Sequence, residues 1–125
     1  MMEKLFWIAL AGGGGTVARY ALAGLVQRWG GAAFPWGTLA VNALGCFFCG
    51  LVWAAAAEHL PVSGEARAAI MVGFIGAFTT FSTFVGETGH LLAASEWLLA
   101  GMNVAAQVLL GLVLFFAGLA IGHAL

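Results

Sequence analysis

Charge is what this sequence most lacks. Of its 125 residues only 7% are charged, four basic and five acidic. A soluble domain carries about 25% charged residues and needs them to cover its surface. Four Lys and Arg make no basic patch to neutralise phosphates, which excludes nucleic acid as a partner. Proline is limited to two residues, and both fall in short polar joints, "QRWGGAAFP" and "EHLPVSGEAR". Cysteine is limited to Cys46 and Cys49. Their "CFFC" spacing matches a redox motif, but the pair lies mid-span on a helix, where small polarizable packing residues are the better reading.

What is abundant is apolar: 63% of the chain is hydrophobic. This composition describes an integral membrane protein, and residues 1–125 form a single unit of few spans. Four apolar stretches reach the ~20 residues that a bilayer-spanning helix requires: 5–26, 36–57, 66–94 and 97–124. Trp29, Trp36, Trp53 and Trp97 lie toward their ends, as interfacial anchors do. The first stretch is no cleaved signal, since its leading Met-Met-Glu-Lys has no net positive charge and its run contains Arg19. Four spans place Lys4 and Arg67 on one side and Arg28 on the other, with Arg19 nearest that second side. Counting positive charges does not choose an orientation. A chain without bias can insert both ways, and two opposite copies can pair as an antiparallel homodimer.

The polar groups inside these spans carry the functional signal. In the first, Gly12, Gly15 and Thr16 supply small-xxx-small spacing for helix packing. Arg19 is costly there and faces either a vestibule or a structural partner. In the second, Asn42 has Thr38 one turn before it and Gly45 nearly one turn after. An amide in lipid needs partners for both ends, as interhelical glue or as a donor to something passing.

The third is anomalous. Residues 67–75 read as helix, but "GAFTTFSTF" reads poorly as one. Gly73 and Gly76 lower helix stability, and the hydroxyls compete for backbone hydrogen bonds. Backbone at membrane depth can break only where protein, water or an ion satisfies the freed groups, and such breaks mark ion and substrate sites. Phe81 and Phe84 then share a helical face. Ring edges carry positive charge and can favour a small anion, with Ser82, Thr83 and Asn42 as hydrogen-bond donors beside them. The fourth span adds Asn103 and Gln107, one turn apart, as a further polar track. Nothing resembles a carboxylate ring, which disfavours cation conduction. Glu87-x-x-His90 matches half of a di-iron bundle motif without its companion glutamates. His59, His90 and His123 look peripheral. "AGGGG" follows no strand and lacks the Lys of a phosphate-binding loop, and no nucleophile–base triad marks an enzyme.

Together, "GGGGTVARY", "PWGTLAVNALG" and above all "GFIGAFTTFSTFVGE" resemble the Fluc (CrcB) family of fluoride channels over essentially the whole chain. The resemblance implies an all-α membrane protein of four transmembrane helices, the third broken mid-span, paired as an antiparallel dual-topology homodimer in the cell (inner) membrane. It implies passive export of fluoride from the cytoplasm through two pores along the dimer. Asn42 matches the pore-facing amide, Phe81 and Phe84 the two ring residues, and Ser82 and Thr83 the pore hydroxyls. Thr38, Asn103 and Gln107 extend that pathway. Arg19 matches the arginine near the vestibule and Glu87 the acid after the motif. The break corresponds to residues 76–79, where the Gly76 and Thr79 carbonyls of both subunits would hold a structural Na⁺ that is not transported.

Two departures stand out. Gly76-Ala77-Phe78 replaces the Gly-Gly-x common before the threonines. Asn103, Gln107 and Gly111 stand where other members place hydroxyls on the fourth helix. The nearest rival is a small multidrug-type dual-topology transporter, which needs a carboxylate within its first span. Here that span has no acid beyond Glu3 at its mouth. A structural subunit with no pathway is the other rival, and it leaves the hydroxyl-rich break unexplained.

Overall fold

The computed structural model describes residues 1–58 and 62–125, with the side chain of residue 58 excepted; His59 therefore lies outside the described residues. All regular structure among them is helical. Helix α1 runs Met2–Gly30 and α2 runs Trp36–Glu58. The third segment begins with α3 over residues 64–78, whose Ala69–Ile75 portion is π-helical. It resumes as α4, Phe81–Ala93, and α5 follows at Trp97–Ala124.

The joints follow from local chemistry. Gly31 ends α1 in the left-handed region at φ 83°, a conformation that other residues adopt only at a cost. Its N–H caps the helix by donating to the Gln27 carbonyl. The Gln27 amide then fastens the turn: Nε2 donates to the carbonyls of Gly31 (2.5 Å) and Phe34 (2.9 Å), and Oε1 accepts from Gly37 N–H. Ser63 caps α3 by accepting from Ala66 N–H.

Membrane helices gain nothing from burying oil in oil, so close backbone approach does the packing. Helices α2 and α5 make the largest interface. A Cβ at Gly50 would fall on the Phe115 carbonyl, and one at Gly118 on the Phe47 carbonyl. Helix α1 meets α3 in the same way: Gly15 lies against the Phe74 backbone, and a Cβ at Gly73 would stand 2.7 Å from the Ile8 carbonyl. The π-helical turn sits at this contact. Arg67 lies over the Trp53 ring at 5.4 Å, joining the start of α3 to the end of α2. Trp29, Trp36, Trp53 and Trp97 are all exposed, as lipid-interface anchors must be.

Among the described residues three stretches are long and apolar enough to cross a membrane: Trp36–Ala57, Gly64–Ala93 and Trp97–Ala124. The chain is a multi-pass membrane protein. Helix α1 contains the first of the four expected apolar stretches, 5–26. Its 29 residues make it long enough, about 43 Å, but it is not among the three. Four consecutive glycines, Thr16 and Arg19 dilute its apolarity.

Candidate functional site

Between α3 and α4 the chain leaves helical geometry at Thr79 (φ −89°, ψ 160°) and Thr80 (φ −150°, ψ 114°). The interruption lies later than the expected 76–79. Gly76 is helical at φ −62°, ψ −36°, and Thr79 still donates from both N–H and Oγ1 to the Ile75 carbonyl at 3.1 Å. Those two bonds carry the helix a turn past the glycine.

At Thr80 the backbone turns away from its own helix and bonds to α2. Its N–H donates to Asn42 Oδ1 at 2.8 Å, and its carbonyl accepts from Asn42 Nδ2 at 3.1 Å. One side-chain amide thus replaces both lost helical partners, as backbone at membrane depth requires. Gly45, one turn on, makes room: a Cβ there would fall on the Thr79 methyl. Thr80 Oγ1 accepts from Thr83 N–H at 3.2 Å, the N-cap that starts α4, and donates to Thr83 Oγ1 at 3.0 Å.

These bonds have a consequence for two carbonyls. In a continuous helix Gly76 would accept from Thr80 N–H and Thr79 from Thr83 N–H. The first donor is given to Asn42 and the second to Thr80 Oγ1. The two carbonyls expected to face a cation are thus the ones deprived of their helical donors.

A cavity of about 330 Å³ adjoins the interruption, lined by Asn42, Thr79, Thr80, Phe81, Phe84 and Gln107, with Cys46 and Cys49 on its wall. Asn42 Nδ2 also donates to Gln107 Oε1 at 2.9 Å, joining α2 to α5. The Phe81 and Phe84 rings are edge to face, centroids 5.6 Å apart and planes at 62°. Phe81 is 76% exposed on the single chain, and Ser82 and Thr83 are exposed beside it.

On the far side of Thr80 a second cavity, about 320 Å³, is lined by Thr16, Arg19, Tyr20, Thr38, Thr80 and Thr83. Arg19 Nε is buried there without a hydrogen-bond partner. Thr38 is buried, and its hydroxyl donates to Glu87 Oε1 at 2.7 Å. Glu87 and His90 share a third cavity of about 360 Å³ at the α1–α2 turn. Among the described residues no three His, Cys, Asp or Glu side chains come together.

Of the residues singled out, Asn42, Phe81, Phe84 and Gln107 meet in one cavity, and Arg19, Thr38 and Thr83 meet in the next. Ser82 stands apart on the exposed face, its Oγ 3.5 Å from Thr80 Oγ1. Asn103 is fully buried, and its Nδ2 donates to Thr88 Oγ1 at 3.0 Å. Thr88 in turn donates to the Phe84 carbonyl at 2.8 Å, so Asn103 ties α5 to the backbone carrying the second ring. Thr80 is the residue that sequence reasoning passed over. It touches both cavities, and the available signal was a hydroxyl just ahead of an apolar helical run.

A family model described as "CrcB-like protein, Camphor Resistance (CrcB)" matches residues 6–119, a span that includes every residue of both cavities. The chain belongs to the CrcB family. A protein of Nitrosococcus oceani named "Fluoride-specific ion channel FluC" is 56% identical over 98% of each chain. Proteins with the same name from Solidesulfovibrio magneticus and Desulforapulum autotrophicum are 54% and 47% identical, again over 98% of each chain.

Proposed function

We propose that this CrcB-family chain is a fluoride-specific channel giving passive export of fluoride from the cytoplasm across the inner membrane. One observation carries the reading beside the kinship: the amides of Asn42 and Gln107 share a cavity with the rings of Phe81 and Phe84. Ring edges beside uncharged polar groups attract a small anion without the fixed charge that would trap it. Thr38, Thr83 and Ser82 add hydroxyls along α2 and α4, Asn103 steadies the ring-bearing backbone, and Arg19 attracts anions to the second cavity. The transporter alternative finds no support, since Glu3 in the first turn is the only acid of α1.

The functional unit in this reading is an antiparallel homodimer. The exposure of Phe81, Ser82, Thr83 and Gly76 on a single chain supports a second copy against this face. A structural Na⁺ fits the Gly76 and Thr79 carbonyls, which have lost their helical donors to Asn42 and Thr80. Bound, it would neutralise converging carbonyl oxygens; carbonyl ligands suit a hard cation.

Proteoliposomes loaded with fluoride or chloride test the channel reading. Fluoride efflux is expected through an electrodiffusive path, with chloride efflux at least about a hundredfold slower; equal rates would refute fluoride specificity. Exhaustive replacement of Na⁺ by a bulky organic cation is expected to silence the flux or dissociate the dimer, and unchanged flux would remove the structural cation.

Orientation is tested separately. Two Lys added beside Met1 are expected to force one topology by the positive-inside rule. Fluoride resistance should then collapse and return when a copy forced the other way is co-expressed. Full resistance from the single-orientation population would rule out the antiparallel dimer.

A further inference from the structure

We propose that Cys46 and Cys49 form a two-thiol site for a soft divalent cation, the mercuric ion, and that the bound ion closes the ring-lined cavity to anions. The site goes beyond the channel reading; only the closure rests on it.

Placement carries the argument. The two cysteines are three residues apart on α2, so their side chains leave the helix on one face, with Cβ atoms ~5–6 Å apart. Both are free thiols and half-buried. Both line the cavity that holds Phe81 and Phe84, and both line a neighbouring cavity of about 400 Å³ bounded by Gly111 and Phe115 of α5. The pair thus belongs to the wall common to the two spaces. Gly111 keeps one sulfur clear of α5, since a Cβ there would stand 3.3 Å from Cys46 Sγ.

The donor set names the ligand. Thiolates select soft metals, and among the described residues no His, Asp or Glu joins the two sulfurs to make a group of three. Zinc takes four ligands, so this pair does not complete its shell. The mercuric ion is satisfied by two sulfurs in a line. With metal–sulfur bonds near the ~2.3 Å of zinc thiolates, a bridging ion holds its sulfurs up to about 4.6 Å apart, within reach of this helical spacing. Each thiol gives up its proton as its sulfur bonds the metal, so one Hg²⁺ and two thiols yield a neutral bis-thiolate and two protons. A monovalent soft ion on the same pair would leave a net negative charge, which a low-dielectric site penalises. Once bound, the ion occupies the space beside Phe81 and Phe84 that the ring edges offer to an anion.

Binding is measured on the whole protein in detergent, by metal analysis after desalting. Cys46 and Cys49 are the only cysteines of the chain, so one mercury per chain is expected. It should survive a roughly millimolar monothiol, because the second sulfur acts at an effective concentration of that order or above. Cys46→Ala and Cys49→Ala should each surrender the metal to the same monothiol, and the double Cys46→Ala/Cys49→Ala variant should bind none. Two ions per chain, or single variants that hold mercury as firmly as the pair, would overturn the two-thiol site. Unsubstituted protein whose thiols are first capped with methyl methanethiosulfonate replaces the double variant if that variant does not fold; mercury retained on the capped protein overturns the site equally. Closure is read as fluoride efflux from liposomes after mercuric chloride relative to efflux before it, each protein serving as its own reference. A fall to about one tenth or less is expected in the unsubstituted protein, because conduction needs a pathway that ions can enter and leave. The ratio should stay near one in the double variant, and a dithiol should restore the lost flux. Unchanged efflux with one mercury bound per chain would overturn the closure. If the unsubstituted protein carries no fluoride before the metal is added, the channel reading fails instead, and the metal count alone judges the site.

Discussion

Replacing both Phe81 and Phe84 with Ile is expected to reduce fluoride flux by up to about a thousandfold while leaving the fold of each chain intact. Isoleucine keeps much of the apolar bulk but has no ring quadrupole, so the positive edge disappears. The mirror-image contact, a cation on a ring face, is worth about 2 kcal/mol when desolvated. Taking the same for an anion at a ring edge gives about thirtyfold per ring, and two rings compound to the larger figure. The rings touch one another, so each single substitution is expected to exceed half of the combined free-energy effect or fall short of it, rather than equal it. Folding should survive because the Phe81 ring stands outside the helix core and isoleucine refills most of the space of the half-buried Phe84. Phe81 is largely exposed on the single chain, and α4 is held instead by the Thr80 cap and the Thr88–Asn103 tie. Fluoride efflux from liposomes, normalised to dimer counted by size-exclusion chromatography, measures the effect. Normal conduction by a well-folded double variant would mean that the rings only fill space and that the anion passes elsewhere.

How far the fold was legible differs from element to element. The second and fourth apolar stretches, 36–57 and 97–124, coincide with α2 and α5 nearly to the residue, because Pro35 and the "ASEW" joint punctuate uninterrupted apolar runs. Helix α1 was legible as a helix but not in its weaker apolarity, since its glycines were read for packing rather than for their dilution of the run. The π-helical turn at Ala69–Ile75 had no signal in the sequence. It lies where Gly73 meets α1, a contact that exists only once the two helices pack.

The site was legible in its residue types and less so in its bonding. Hydroxyls, an amide and paired rings marked a place where polar groups had to converge at membrane depth, and Asn42, Phe81, Phe84 and Gln107 do share a cavity. Glycine content suggested that the helix would yield at Gly76. It yields at Thr79 and Thr80, since a glycine weakens a helix without supplying the alternative partner that a break needs. That partner is Asn42, on another helix, and no local pattern names it. The buried tie from Asn103 through Thr88 to Phe84 was invisible for the same reason. Two amides one turn apart read as equivalent members of a track, yet one is fully buried and the other borders two cavities.

The largest effect of a single substitution is expected at Asn42. Asn42→Asp preserves the shape and keeps one oxygen to accept from Thr80 N–H, so the interruption of the third helix retains half of its support. The other oxygen takes the place of Nδ2 and faces two acceptors, the Thr80 carbonyl and Gln107 Oε1, at distances that suit donors. Gln107 can turn its amide to donate instead. The Thr80 carbonyl cannot turn without moving the backbone, and an acceptor stranded there costs about 1–3 kcal/mol. A carboxylate also brings a charge of the anion's own sign, and at low dielectric that repulsion reaches several kcal/mol over a few ångströms. Fluoride flux is therefore expected to be undetectable, a fall of more than about a thousandfold, and thermal stability in detergent to drop measurably. Asn42→Ser separates the two contributions, because a neutral side chain loses the bonds without adding charge. It should be at least as destabilised as Asn42→Asp yet retain more flux. Normal flux in Asn42→Asp would place the anion's path away from this amide, and equal flux in the two variants would remove charge from the explanation.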